Sequence, residues 1–359
     1  MFEAKRAAIL SLRDEGKIGA EVMRRVERHT DPEELRFQRL KEVTMSHIRA
    51  VLVDKRAPAN LSLGEIEKPS PAPSEALVRV SSISLNRGEV RRAQAAEPGF
   101  NPGWDLAGTV EREAADETGP PAGARVVGLL PSAAWAELVA VPTNSLAELP
   151  ENVPFGQAAT LPVAGLTALY ALEKGGGLLG RNILVTGASG GAGHFGVQLA
   201  RLSGGRVAAL VRREENENLL REAGAHEVAV GEDTGNAGSF GPYHLILESV
   251  GGKVLGDAIG MLATGGTCVA FGASGAAETS FDVRSFYLVG GARLYGLILF
   301  HEVLAHPTSD GLARLAALVA EGQLRPHVSV EASWEEVGEG AQRLLERDYT
   351  GKAVLSIGS

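Results

Sequence analysis

From Met45 onward the apolar positions of this chain follow two different rhythms. MSHIRAVLV, LSLGEI and EALVRVSSISLN are short runs rich in β-branched residues, separated by Pro and Gly clusters such as EKPSPAPSE. They predict an irregular, β-rich domain. From Arg181 the rhythm changes. NILVTG reads as a strand, followed by a helix to about Leu202, the strand RVAALV and a helix that ends at AGA. The strands HEVAV and HLILESV follow, then the helix KVLGDAIGML and the strands GTCVAFG and ARLYGLILF. Strands alternating with helices imply right-handed crossovers and a parallel sheet. Between His301 and Ser359 the chain reads as a helix (DGLARLAALVAEG), a strand (HVSVEA), a further helix and a last strand (KAVLSI). This tail is expected to return to the first domain. Residues 1–44 differ from both parts. They hold ten Lys/Arg and nine Asp/Glu, with Ile18, Val22 and Val26 at helical spacing and Asp31-Pro32 as a helix start. Two or three short amphipathic helices are expected there, packed on the body or on another subunit, or serving a regulatory partner.

Composition narrows the function. The 359 residues suffice for two domains, and the formal net charge of -9 argues against a nucleic-acid partner. A single cysteine, Cys268, excludes an internal disulfide and a four-thiolate zinc site. No apolar run approaches the roughly 20 residues of a membrane span, and the N-terminus has no secretory pattern. A cytoplasmic protein without stable membrane insertion is expected.

One motif carries chemistry. Thr186-Gly187-Ala188-Ser189-Gly190-Gly191-Ala192-Gly193 stands between an apolar strand and a helix. Gly190 and Gly193 occupy the second and third glycine positions of G-x-G-x-x-G, with Ala188 at the first. Glycine is required where backbone approaches a pyrophosphate, and the helix start offers it free N–H groups. Dinucleotide binding follows. Cofactor choice rests about 20 residues further on, where an acid would accept the ribose 2′-hydroxyl of NAD. Arg212 and Arg213 stand there instead. Guanidinium pairs with a 2′-phosphate, so NADPH is expected, the alternative being two solvated arginines at a helix start. Glu214 and Glu215 fit the first turn of the next helix. His194 caps or lines the start of the helix after the glycines.

With these residues the chain resembles the medium-chain dehydrogenase/reductase superfamily, in its zinc-independent quinone oxidoreductase and enoyl reductase branch. The resemblance runs from Met45 to the C-terminus through SLNRGEV, GWDLAGTVE, AGARVVGL, WAELVAVP, AATLPVAGLTALYAL, VTGASGGAGHFGVQLA, ESVGG, VAFGASG and TGKAVL. Residues 1–44 resemble a segment of the cytoplasmic tail of bacterial sodium/proton antiporters. The first resemblance implies a GroES-like domain (45–167 and 300–359) against a doubly wound Rossmann domain (168–299), with a helical extension at 1–44. It also implies an active site in the cleft and a homodimer joined through ARLYGLILF. Zinc-dependent members place a Cys in the SLNRGEV region and Gly-His-Glu where this chain has Gly103-Trp104-Asp105, so no metal site is expected. The resemblance further places Phe271, Gly272 and Lys352 at the cofactor, Lys352 alternatively being a surface lysine. It puts Asn86 and Glu89 in catalysis, Glu89 alternatively being a solvated loop acid. The tyrosine that some enoyl reductases carry after this loop is absent. Tyr287 and Tyr295 stand near the last Rossmann strand, in the pocket or in packing. The expected activity is NADPH-dependent hydride transfer to a quinone or an activated C=C bond of a small molecule. The alternatives are a dedicated biosynthetic reductase and a non-catalytic NADPH-binding sensor or scaffold.

Overall fold

β-Branched runs with alternating burial fold into strands, and a computed structural model describes them over residues 47–358. The extension expected at 1–44 and the boundary at Met45 lie outside the described residues. β1 (His47–Val53) and β2 (Leu61–Glu67) form a two-stranded sheet. β3 (Glu75–Ser84) is a ten-residue strand with Val78, Val80 and Ile83 all buried. The helix α1 (Arg87–Ala95) separates it from β4 (Asp105–Arg112), and β5 (Arg125–Leu129), β6 (Leu138–Pro142) and β7 (Leu146–Glu148) follow. A π turn at Leu161–Gly165 leads into α2 (Leu166–Glu173).

The second rhythm then sets in. β8 (Asn182–Val185), α3 (Gly191–Leu202), β9 (Arg206–Val211), α4 (Glu217–Glu222), β10 (Glu227–Val230) and β11 (Tyr243–Glu248) come in order. α5 (Gly252–Ile259), β12 (Leu262–Ala270), α6 (Val283–Leu288) and β13 (Arg293–Gly296) complete the series. Their sheet runs β10-β9-β8-β11-β12-β13, every pair parallel. Counted from β8 this is the order 3-2-1-4-5-6 of a doubly wound Rossmann sheet, whose ligands bind beyond the carboxyl ends of the strands where the order reverses. Its inner strands β8, β9 and β11 are apolar and almost wholly buried, as expected where helices cover both faces.

The tail holds α7 (Leu299–Glu302), α8 (Thr308–Ala320), β14 (Val328–Ser333), α9 (Val337–Glu346) and β15 (Lys352–Ser356). The other large sheet has the order β14-β15-β3-β4-β5-β7, with β6 also paired to β3. Thus β15, from the chain's end, lies beside β3 and pairs Val354 with Ser84.

One element departs from expectation. ARLYGLILF is strand only as far as Gly296, and Leu299–Glu302 is a helical turn. Leu297 still donates its N–H to Ala270, after which the turn buries Leu299 and Glu302, the latter gripped by Lys174 and Tyr295. A short apolar run does not by itself distinguish strand from helix.

Ile83 is wholly buried at the centre of the seven-stranded sheet. Replacing it with Ala should cost about 2–5 kcal/mol, the range for emptying a core aliphatic site. Urea unfolding should show a lower midpoint at unchanged slope.

Candidate active site

The glycine run leaves β8 in a conformation that only small residues permit. Gly187 has φ +57°, and a Cβ there would lie 2.5 Å from the Ser249 hydroxyl. A Cβ on Gly193 would lie 2.4 Å from the Gly187 carbonyl oxygen, so α3 presses directly on the end of β8. Gly190 is extended (φ −80°, ψ 170°) and α3 begins at Gly191. The first-turn N–H groups of Gly191, Ala192 and Gly193 have no carbonyl one turn earlier. These three residues, with Gly187, Ser189 and Gly190, line a cavity of about 760 Å3. Thr186 and Ala188, the other two members of the run, face the interior. The Thr186 hydroxyl donates to the Glu248 carboxylate at 3.1 Å, and Ala188 is wholly buried. They support the loop, and their side chains do not line the cavity. Burial raises the Glu248 carboxyl, while N–H groups of Val250 and Gly251 oppose the rise.

One end of this cavity is basic. Arg212 and Arg213 line it from the end of β9, Phe271 and Gly272 from the end of β12. Arg87 and Arg91 of α1, with Arg347 beyond α9, complete the basic wall. The Arg347 guanidinium donates to the Ser274 carbonyl, and Arg213 is paired with Glu215 at 3.3 Å. Burial lowers the Arg87 guanidinium, and the like charges of Arg347, Arg91 and Arg212 lower it further. Among the described residues, Arg87 Nε and the Tyr349 hydroxyl are buried without a partner. Both residues line the cavity. Clustered cations with an orphaned buried donor fit the phosphates of a dinucleotide.

Another part of the cavity wall is built on a buried ammonium. Lys352 Nζ donates to the Leu85 carbonyl at 2.9 Å and to Asn86 Oδ1 at 2.5 Å, and lies 3.4 Å from Asp105 Oδ2. Asn86 Nδ2 donates to Asp105 at 2.7 Å and to Glu89 at 2.9 Å. Asp105 also accepts from the Ser84 hydroxyl at 2.6 Å and from the Val163 N–H at 2.9 Å. Glu89 is the N3 residue of α1 and accepts from the Asn86 N–H at 2.6 Å and the Trp104 N–H at 2.8 Å. Burial pushes the Glu89 carboxyl well up, with the Asp105 charge adding to it. Burial likewise lowers the Lys352 ammonium against the pull of both acids.

Asn86 and Lys352 line the cavity; Glu89 does not. The expectation that Glu89 faces substrate, or stands solvated in a loop, is therefore corrected. It is 1% exposed and caps the helix that Asn86 begins. Tyr287 is exposed, and the Tyr295 hydroxyl is bound to Glu302; neither lines the cavity. Trp104 and Phe300 do, with ring centroids 5.1 Å apart at 67°. Arg87, Arg91, Arg347, Thr167 and Phe300 were not singled out from sequence, because they sit far from the glycine run along the chain.

Two family models match the chain: an alcohol dehydrogenase GroES-like domain at residues 72–151 and a zinc-binding dehydrogenase domain at 191–317. Together they span more than half of it, in the order the two sheets require. The chain belongs to the medium-chain dehydrogenase/reductase superfamily. It is 26% identical over 300 residues to quinone oxidoreductase-like protein 2 of Bos taurus, covering 79% of this chain and 86% of that protein. To the acryloyl-coenzyme A reductase of Sulfurisphaera tokodaii it is 23% identical over 325 residues, covering 82% and 95%. A Mycobacterium tuberculosis mycocerosic acid synthase-like polyketide synthase is 26% identical over 350 residues, and the chain spans 16% of its length. A mycobacterial protein solved in complex with NADPH superimposes with a TM-score of 0.78 at 25% identity, covering 86% of this chain and all of that one. No helix among the described residues is long and apolar enough to cross a membrane.

Zinc is named in one of these models, and this member's residues do not fit it. Among the described residues no group of three or more His, Cys, Asp or Glu could hold a metal ion. At the Gly-His-Glu position Trp104 turns its indole N–H to Pro131, and Asp105 is already held by Ser84, Asn86 and Lys352.

Behind the glycine run, His194 is buried, accepts at Nδ1 from the Gln198 amide at 3.0 Å, and packs against His327 with ring centroids 5.3 Å apart. Burial lowers its imidazole to about 4, with the His327 charge as a lesser cause. The ordinary value near 6.5 belongs to the unfolded chain. Between those values the unfolded chain binds a proton that the folded one refuses, so stability falls as pH drops through that window. The urea midpoint should fall from pH 7 to pH 5, and His194→Gln should flatten that fall.

Proposed function

We propose that this protein is a zinc-independent reductase that uses NADPH to reduce a quinone or the activated C=C bond of a small enone or enoyl substrate. The observation that carries the reading is a single cavity joining an arginine-rich end to an end built on Asn86 and Lys352. Arg212 stands where an NAD-selecting acid would stand, and Arg87 and Arg347 face it. A carboxylate there would repel a 2′-phosphate, whereas guanidinium pairs with one.

NADPH, when bound, supplies the hydride. Everything else falls to the chain. The α3 N-terminus and Gly187–Gly193 receive the pyrophosphate, and Arg212 with Arg347 selects the 2′-phosphate. Phe271 and Gly272 flank the cofactor. Asn86, clamped between Asp105, Glu89 and Lys352, is a rigid polar contact at the reacting end. Trp104, Val163, Leu297 and Phe300 give that end apolar walls that exclude water. The names of two relatives, a quinone oxidoreductase-like protein and an acryloyl-coenzyme A reductase, support the substrate class. The polyketide synthase similarity favours a narrower version, a reductase with one dedicated biosynthetic substrate. Tight NADPH binding with inactivity against a broad quinone and enone panel would select it.

We also propose a homodimer through the outer edge of β13. Among the described residues that strand has no neighbour on its far side, and Leu294, Ile298, Tyr287 and Leu288 are 44%, 69%, 62% and 66% exposed. An unpaired edge flanked by apolar side chains is a ready pairing surface. Light scattering should report a dimer that Ile298→Asp weakens toward monomer; a monomeric wild type sinks the idea.

NADPH should bind more tightly than NADH by roughly 1–3 kcal/mol, the scale of a charge-assisted contact. Arg212→Asp should reverse the preference in a fluorescence titration, and equal affinities in the wild type would refute the cofactor assignment. NADPH oxidation against the panel tests the activity itself.

A further inference from the structure

At the reacting end most polar groups are already committed. The Asn86 amide is spent on Asp105 and Glu89, and the Lys352 ammonium on Leu85, Asn86 and Asp105. Thr167 differs. It is 7% exposed, lines the cavity, and its hydroxyl has no hydrogen-bond partner among the described residues. A helical threonine usually settles its hydroxyl on the carbonyl one turn back. Here that carbonyl, of Val163, belongs to the π turn and already faces the Leu166 N–H.

Position adds to the case. Val163 and Thr167 are four residues apart, so they share a face, and both line the cavity. The Val163 N–H is tied to Asp105, which is tied to Asn86. Thr167 therefore stands one helical turn from the network that fixes Asn86. The Trp104–Phe300 pair lines the same end. Trp104 is held by its indole N–H on the Pro131 carbonyl at 3.0 Å, and Gly88 gives its ring room: a Cβ there would lie 3.0 Å from Trp104 Cη2. Fixed aromatic walls with one uncommitted hydroxyl suit a flat, neutral, conjugated carbonyl compound.

We propose that Thr167 donates its hydroxyl hydrogen to the carbonyl oxygen of a planar conjugated ketone or quinone held against Trp104 and Phe300. The inference rests on the reductase reading above. In the enone case the β-carbon gains the hydride and its electron pair, and the C=C π pair moves to leave the negative charge on the carbonyl oxygen. Nicotinamide is the group oxidised, and water supplies the α-carbon proton. Thr167 remains protonated throughout; its hydrogen bond strengthens as the oxygen gains charge, which is what lowers the barrier.

The test compares wild type, Thr167→Val and Thr167→Ser. Calorimetry with 1,4-naphthoquinone is run on enzyme saturated with NADP+, where no turnover occurs, and steady-state kinetics with 2-cyclohexenone and NADPH. Thr167→Val should weaken naphthoquinone binding by about tenfold, the scale of one hydrogen bond, and lower kcat by roughly 10- to 100-fold. NADPH affinity and the melting midpoint should stay at wild-type values, and Thr167→Ser should restore most of the loss. A Val variant that binds and turns over like wild type overturns the proposal. So does a folded Ser variant as impaired as Val, or a wild type that binds no naphthoquinone. If Thr167→Val fails to fold, Thr167→Ala replaces it in the same comparison with Ser. Wild-type binding that weakens in Thr167→Val, without turnover in any form, would uphold the site and sink the reductase reading instead.

Discussion

The Lys352 ammonium is the point on which the cleft is hung. It is 4% exposed and joins segments that are hundreds of residues apart: the start of β15, the β3–α1 junction at Leu85 and Asn86, and Asp105 at the head of β4. Sheet register makes this meeting possible. β15 runs antiparallel to β3, and β3 pairs Ser84 with Asp105, so one lysine at the start of β15 reaches both. A buried ammonium among carboxylates is weak evidence for stability, because desolvation consumes most of the attraction. Deleting one partner is another matter, costing about 3–5 kcal/mol through the charge left behind. The network's benefit is geometric: Asn86 has no freedom to turn away from the cavity.

Much of the nucleotide half was legible in sequence because its determinants are local. Gly190 and Gly193 act through contacts with Gly187 and Ala188 a few residues away, the positive φ of Gly187 is a property of the turn itself, and Arg212 follows at a distance set by one helix and one strand. The other half depends on strands brought together from opposite ends of the chain. Arg87, Arg347 and Thr167 acquire meaning only when α1, α2 and the α9–β15 junction meet around one cavity. Glu89 was legible and was misread. Asn86-Arg87-Gly88-Glu89 carries Asn at a helix start and Glu three residues on, the pattern of a capping box. Read that way, Glu89 is directed back to the Asn86 N–H, where the structure has it. The apolar run after Gly296 was ambiguous for a different reason: only the buried Glu302, needing Lys174 and Tyr295, makes the helical turn the better solution.

The two ends of the cavity also differ in charge. At the nucleotide end Arg87, Arg91, Arg212 and Arg347 crowd together, with burial and mutual repulsion lowering Arg87 and Arg347. Crowded guanidiniums are relieved by an anion of high charge, and the proposed NADPH would bring one. At the reacting end the buried ammonium of Lys352 is already engaged by carboxylates. Asp105 faces Lys352, and burial with the nearby Asp105 charge raises the Glu89 carboxyl. Lys352, the cation bound to Asn86, is committed to Leu85, Asn86 and Asp105, and the walls beside it include Trp104, Val163, Leu297 and Phe300. A charged substrate head would lose its hydration at this end without gaining a partner, a cost of several kcal/mol. A neutral carbonyl loses far less and finds apolar walls and a hydroxyl. On the proposed reading, one cavity sorts its ligands by charge, phosphates to the arginines and an uncharged conjugated group to the aromatic wall.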